Sequence, residues 1–168
     1  MKENADKLMN EYFSTKETAR RNQILNQLAI EYPEDAKDFF FRAFKKERYL
    51  DMKCTALRGY AYYATEEEVD VLAKKLLELL KKRPAHTPYD YQEYEQMRSV
   101  FQLPYLIEKY HYACFEELYQ QLEKQYNDMP DCFKNIFTLD ENGKAYTLRD
   151  SDEVKKSIRA FYDRQSTC

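Results

Sequence analysis

The sequence predicts an all-α fold that closes with a small β-hairpin and a final helix. Apolar residues recur at helical spacing from near the N-terminus to about Met129, in short segments joined by short connections. Only beyond residue 135 does the pattern change to the alternation of strands.

In order along the chain, Ser14 and Glu17 have the S-x-x-E spacing of a capping box, ahead of Ile24, Leu25, Leu28 and Tyr32 on one helical face. Pro33 suits a first helical position, with Glu34 and Asp35 at the positive end of the dipole and Ala36, Phe39, Phe40, Ala43 and Phe44 as the apolar stripe. The next helix runs from about Asp51 to Ala64. Gly59 lies in its middle, at a cost of about 1 kcal/mol against alanine, and fits a close helix crossing better than a ligand contact. Thr65 and Glu68 form another capping box before Val69, Leu72, Leu76, Leu77 and Leu80, and Lys81-Lys82-Arg83 followed by Pro84 ends that helix.

Residues 84–88, Pro-Ala-His-Thr-Pro, form a connection too short for a domain linker, with Thr87-Pro88 as N-cap and first helical residue. Helices follow from about Tyr89 to Phe101 and from Pro104 to Tyr112, then one carrying Phe115, Leu118, Tyr119, Leu122 and Tyr126. Ile136–Leu139 and Lys144–Leu148 flank Asp140-Glu141-Asn142-Gly143 as a hairpin, and Asp150 with Glu153 opens a last helix bearing Val154, Ile158 and Phe161. A two-stranded ribbon is marginal alone, so it must lie on the helices. The 168 residues therefore read as one domain, with helical repeats over 1–129 and the hairpin and last helix over 130–168.

Composition narrows the function. Lys and Arg number 27 against 30 Asp and Glu, a net charge of −3, which disfavours general electrostatic binding to nucleic acid. Two glycines leave little material for a Gly-rich phosphate loop. The N-terminus is polar, without the apolar core of a signal peptide, and no apolar run reaches the ~20 residues of a membrane span, so a cytoplasmic protein is expected. Cys54, Cys114, Cys132 and Cys168 are scattered without metal-ligand spacing and read as reduced, packed thiols.

Residues 57–72 match 106–121 at an offset of 49: Leu57 on Leu106, Tyr63-Ala64 on Tyr112-Ala113, Glu67-Glu68 on Glu116-Glu117, Val69 on Leu118. Short amphipathic helices repeating at this period are the mark of an α-solenoid. Asp51, Met52, Lys53, Ala56 and Tyr60 stand at the positions of an aspartate, an aliphatic, a basic, an alanine and a bulky apolar residue, and the stretch 51–60 thereby resembles the second helix of a HEAT repeat. Pro33 is placed to open a preceding helix, and the second copy has Gln102 and Tyr105 where the pattern has its basic residue and alanine. The resemblance implies HEAT-type helix pairs over about 14–129.

No enzyme signature stands out, and no cofactor or metal is expected. His111 and Cys114 are three apart, close enough to meet on one helix, but a catalytic dyad also needs a third group to hold the base. Glu108 and His111 give a single E-x-x-H, where a bundle metal site needs two. The other histidine, His86, lies in the proline-flanked connection. Asp140–Gly143 lacks the twelve-residue spacing of a calcium loop.

What remains is surface. Residues 1–83 carry a charge of +2 and residues 84–168 a charge of −5. Between 87 and 131 nine acids face three bases, and eight tyrosines share the span. Tyrosine joins a rigid apolar face to a polar tip and is enriched in binding surfaces. Tyr89, Asp90, Tyr91, Glu93, Tyr94, Glu116 and Glu117 are therefore the candidate partner-binding residues, with Tyr89, Tyr91 and Tyr94 exposed. Tyr105, Tyr112, Tyr119 and Tyr126, seven apart, are expected in the core. The acidic, Tyr-rich face would steer and hold a basic protein partner. In size, acidity and lack of catalytic residues the chain is similar to small bacterial immunity proteins, which implies a toxin as that partner. The alternative is a HEAT-like nucleic-acid-binding or base-repair protein with Arg20, Arg21, Lys45, Lys46, Arg48, Lys53 and Arg58 along a local basic groove.

Overall fold

The computed structural model describes residues 2–83, 87–134, 136–141, 145–147 and 151–166. Pro84, His86, Gly143, Lys144, Leu148, Asp150 and Cys168 lie outside the described residues, as does the side chain of Val154. The described elements are α1 (Lys2–Ser14), α2 (Thr18–Glu31), α3 (Lys37–Lys46), α4 (Leu50–Tyr63), α5 (Glu66–Lys82), α6 (Pro88–Arg98), α7 (Leu103–Tyr110), α8 (Ala113–Asn127), β1 (Phe137–Leu139), β2 (Ala145–Thr147) and α9 (Ser151–Ser166). The molecule is thus mostly helical, as its periodicity predicts.

Two helix starts differ from expectation. Ser14 is the last residue of α1 and donates to the Glu11 carbonyl at 3.1 Å, so no capping box joins it to Glu17. Thr15 instead accepts the Glu17 N–H at 3.3 Å. Pro33 does not open α3 either. Tyr32 and Asp35 both take left-handed backbone, φ 49° and 59°, and this turn delays the helix to Lys37. The Thr65–Glu68 capping box forms in full at the start of α5, and β1 pairs antiparallel with β2, Thr138 opposite Tyr146.

Helix α4 is the hub. Ten of its fourteen residues are buried, and it packs against α2, α3, α5 and α6. So many faces are covered that its apolar pattern is nearly continuous (Met52, Cys54, Ala56, Leu57, Tyr60, Ala61). Gly59 makes the α3 contact close: a Cβ at this position would lie 2.2 Å from the Phe40 ring, nearer than real atoms approach. Burial pushes the Cys54 thiol up to about 12, and Cys54 and Cys114 behave as small packed hydrophobes.

The matched segments occupy equivalent places. Leu57 and Leu106 are buried on α4 and α7, Val69 and Leu118 on α5 and α8, and α5 packs against α8. The N-terminal ends of α2, α4 and α6 meet at one cleft, while Tyr32 at the end of α2 stacks on Tyr62 near the end of α4, ring centres 4.0 Å apart. Helices α2 and α4 therefore run in one direction, and α6 follows α4, with Glu93 at Leu50 near its start and Phe101 beyond its end at Arg58. The hairpin packs on α6.

Candidate functional site

The cleft between the N-termini of α2, α4 and α6 has a volume of about 470 Å³. Its chemistry begins with a local rule: Pro88 opens α6, and Asp90 one turn on reaches back to accept the Thr87 N–H at 2.9 Å and its hydroxyl at 3.2 Å. Glu93, on the following turn, lies on the same face. Its carboxylate accepts the N–H of Leu50, the first residue of α4, at 3.2 Å and pairs with Arg83 just beyond α5. Arg83 also lies 3.3 Å from Asp90. Asp51, in the first turn of α4, completes the group, and Thr18, Asn22, Tyr49 and Tyr89 line the rest of the cleft.

Two carboxyl groups thus share one guanidinium, and Asp51 feels its charge without pairing to it. Burial pushes Glu93 up to about 7; the charge of Asp51 adds to this, while Arg83 and the Leu50 N–H oppose it. Burial likewise raises Asp51 to about 6, against backbone hydrogen bonds in its own turn and the charge of Arg83. At the mouth, Tyr49 is 38% and Tyr89 76% exposed.

The structure separates the residues that the sequence grouped. Tyr89, Asp90 and Glu93 line the cleft, with Asp90 and Glu93 mostly buried in it. Tyr91 and Tyr94, expected at the surface, are 1% and 0% exposed. The correction has a simple cause: α6 is covered by α4, α8 and the hairpin, so Tyr91, Tyr94 and Met97 form an inward stripe at three-residue spacing. Tyr91 meets Tyr126 and Phe133 edge-on or tilted, at 5.4 and 6.0 Å. Tyr105, Tyr112, Tyr119 and Tyr126 are not fully in the core but half-buried against it. Glu116 and Glu117 are exposed at the start of α8 and are not part of the cleft.

Asp51, Arg83 and Tyr49 were missed as site residues. Asp51 was legible only as a repeat position, and Arg83 only as a helix-ending cation. The acidic span is also less free than its composition implies, because Glu95 and Glu123 both bind Arg98, at 2.9 and 2.5 Å.

Five of the seven cations of the alternative reading make a hydrogen bond or ion pair within the chain, Lys46 to the Phe13 carbonyl among them. Arg20 binds Glu11, Arg21 binds Glu47, buried Lys53 donates to the Phe44 carbonyl at 2.5 Å, and Arg58 donates to the Phe101 carbonyl. Arg21, Lys46 and Arg48 line one depression that does not include Arg58. His111 takes left-handed backbone at the end of α7, φ 57°, so it shares no helix with Cys114. Among the described residues no group of three or more His, Cys, Asp or Glu is placed to hold a metal ion, and no helix is long and apolar enough to cross a membrane. Comparison with protein-family models, with curated proteins and with solved structures finds no match for the chain.

Proposed function

We propose that the protein is a non-enzymatic interaction module whose cleft receives a cationic side chain of a basic protein partner. The observation that carries this is the charge imbalance of the cleft, where among the described lining residues Asp51, Asp90 and Glu93 stand against one cation, Arg83. A second cation entering there restores the ionised state of two carboxyls that burial disfavours. Tyr49 and Tyr89 at the mouth offer ring faces to the same cation. Glu93 and Asp90 are already committed to Leu50 and Thr87, which favours a binding role over proton transfer.

A HEAT-like α-solenoid arrangement is supported by the common direction of α2, α4 and α6 and by the equivalence of the α4–α5 and α7–α8 segments. The similarity to immunity proteins makes a toxin, neutralised by occlusion of its active site, the fitting partner class. The nucleic-acid alternative draws no support from cations that already have partners.

Calorimetric titration with short Arg-rich and Lys-rich peptides at low and high salt tests the proposal. Binding that weakens with salt and is clearly weaker, though still measurable, in Asp51→Asn supports it. No binding, or equal binding by wild type and Asp51→Asn, overturns it.

A further inference from the structure

A second polar cluster lies further along α4, away from the cleft. Arg58 is seven residues beyond Asp51, about 10 Å along a helix rising 1.5 Å per residue. Here the hydroxyls of Tyr32 and Tyr105 are 3.2 Å apart. Lys109 donates to the Tyr105 hydroxyl at 3.0 Å, and its ammonium lies 5.1 Å from the ring centre of Tyr32 and 5.4 Å from those of Tyr62, Tyr105 and Tyr110. The Arg58 guanidinium, which donates from one nitrogen to the Phe101 carbonyl, lies over the Tyr105 ring at 4.4 Å. Tyr62 is half exposed, so the cluster opens to solvent.

The charge balance is the reverse of the cleft. Among the described residues no carboxylate forms an ion pair with Arg58 or Lys109. Two cations held against one phenol repel each other, and ring faces offset this only in part, at about 0.5–1 kcal/mol each where exposed. We infer that Arg58, Lys109 and the hydroxyls of Tyr32 and Tyr105 form a binding site for an oxyanion, a phosphate monoester or a carboxylate. The donor set suits it: a guanidinium, an ammonium and two rotatable hydroxyls, with Tyr62 stacked alongside as an apolar wall. The Tyr105 phenol already feels such a site. Burial would raise it, but hydrogen bonds from Tyr32 and Lys109 and the charges of Lys109 and Arg58 outweigh burial and lower it. A bound oxyanion takes over that counter-ion role. The inference uses no residue of the cleft and stands apart from the proposed function.

The test is tyrosine ionisation, followed at 295 nm against pH in wild type, Tyr105→Phe and Lys109→Met. Inorganic phosphate or acetate is added against chloride of matched ionic strength. The lowest-titrating phenol of wild type should be missing in Tyr105→Phe and should move to higher pH with the anion. Lys109→Met, which keeps the stem on the rings, should bind about tenfold more weakly or worse. A response to phosphate alone identifies a phosphate monoester site, and a response to acetate as well identifies a carboxylate site. If neither anion shifts the titration beyond chloride, or Lys109→Met responds as wild type does, the inference is wrong.

Discussion

The Glu93 carboxylate on α6 accepts the N–H of Leu50, the first residue of α4, at 3.2 Å, so one helix is capped by a side chain of another. The same oxygen binds Arg83, and three chain segments that are distant in sequence are tied at one carboxylate. Removing that carboxylate leaves a helix N-terminus uncapped and Arg83 dependent on Asp90. Glu93→Ala should therefore cost about 3–5 kcal/mol, as loss of a buried ion-pair partner does. Urea unfolding checks the value, and a cost below about 1 kcal/mol, typical of a surface pair, would show that the tie is weak.

Arg20 and Arg21 are adjacent, yet their substitutions should behave differently. Arg21 pairs at 2.9 Å with Glu47, whose side chain is 1% exposed and also accepts the Tyr12 hydroxyl at 2.5 Å. Arg21→Ala strands that carboxylate and should cost about 3 kcal/mol or more. Arg20 pairs with a solvent-accessible Glu11, and Arg20→Ala should leave the melting temperature nearly unchanged. Equal effects of the two would refute the ranking.

Tyr91 and Tyr94 test the correction to the tyrosine reading. Their hydroxyls are buried and have no hydrogen-bond partner among the described residues. Tyr91→Phe should therefore be neutral or stabilising, whereas Tyr91→Ala should cost about 3–5 kcal/mol through the cavity that it leaves. Were Tyr91 a surface residue, the alanine variant would be harmless in thermal melts.

Gly59→Ala sets helix propensity against packing. Alanine gains about 1 kcal/mol in an open helix, but its Cβ would clash with the edge of the Phe40 ring, and overpacking costs about 1–3 kcal/mol. Net destabilisation is expected, and Phe40→Leu combined with Gly59→Ala should recover part of it in a double-mutant cycle.

Much of this architecture was legible because it is local. The Thr65–Glu68 box, Pro88 at the start of α6 and the stripe Val69, Leu72, Leu76, Leu80 are fixed by neighbours within a turn or two. The rest depends on long-range contact. Glu93 caps α4, Lys53 donates to the end of α3 through the Phe44 carbonyl, and Gln125 on α8 donates to the Leu80 carbonyl of α5 at 2.7 Å. No local spacing encodes such caps. In α6, acids and tyrosines alternate so closely that no polar face stands out, and only the Tyr91, Tyr94, Met97 spacing betrayed the buried side. The cleft was half visible for the same reason: Tyr89, Asp90 and Glu93 are neighbours in sequence, while Asp51 and Arg83 come from elsewhere in the chain.

Stability and cation binding should respond to pH with opposite signs. Glu93 and Asp51 are raised in the fold, to about 7 and about 6, so the folded state holds protons that the unfolded chain releases. Their contribution to stability is full below the unfolded carboxyl values and is lost as pH rises through 6 and 7. Glu68, hydrogen-bonded to Lys37 and to the Thr65 N–H, is lowered to about 2, and its contribution is lost as pH falls through the acid range. Stability should therefore peak near about pH 5. A cation, however, needs the carboxylates ionised, so peptide affinity should climb from about pH 5 to pH 8 and binding should release protons. Asp51→Asn should flatten the affinity profile and reduce the proton release, measured from binding enthalpies in buffers of different ionisation heat. An affinity that fell with rising pH, in step with stability, would separate the binding residues from these two carboxyls and remove the basis for placing a cation in the cleft.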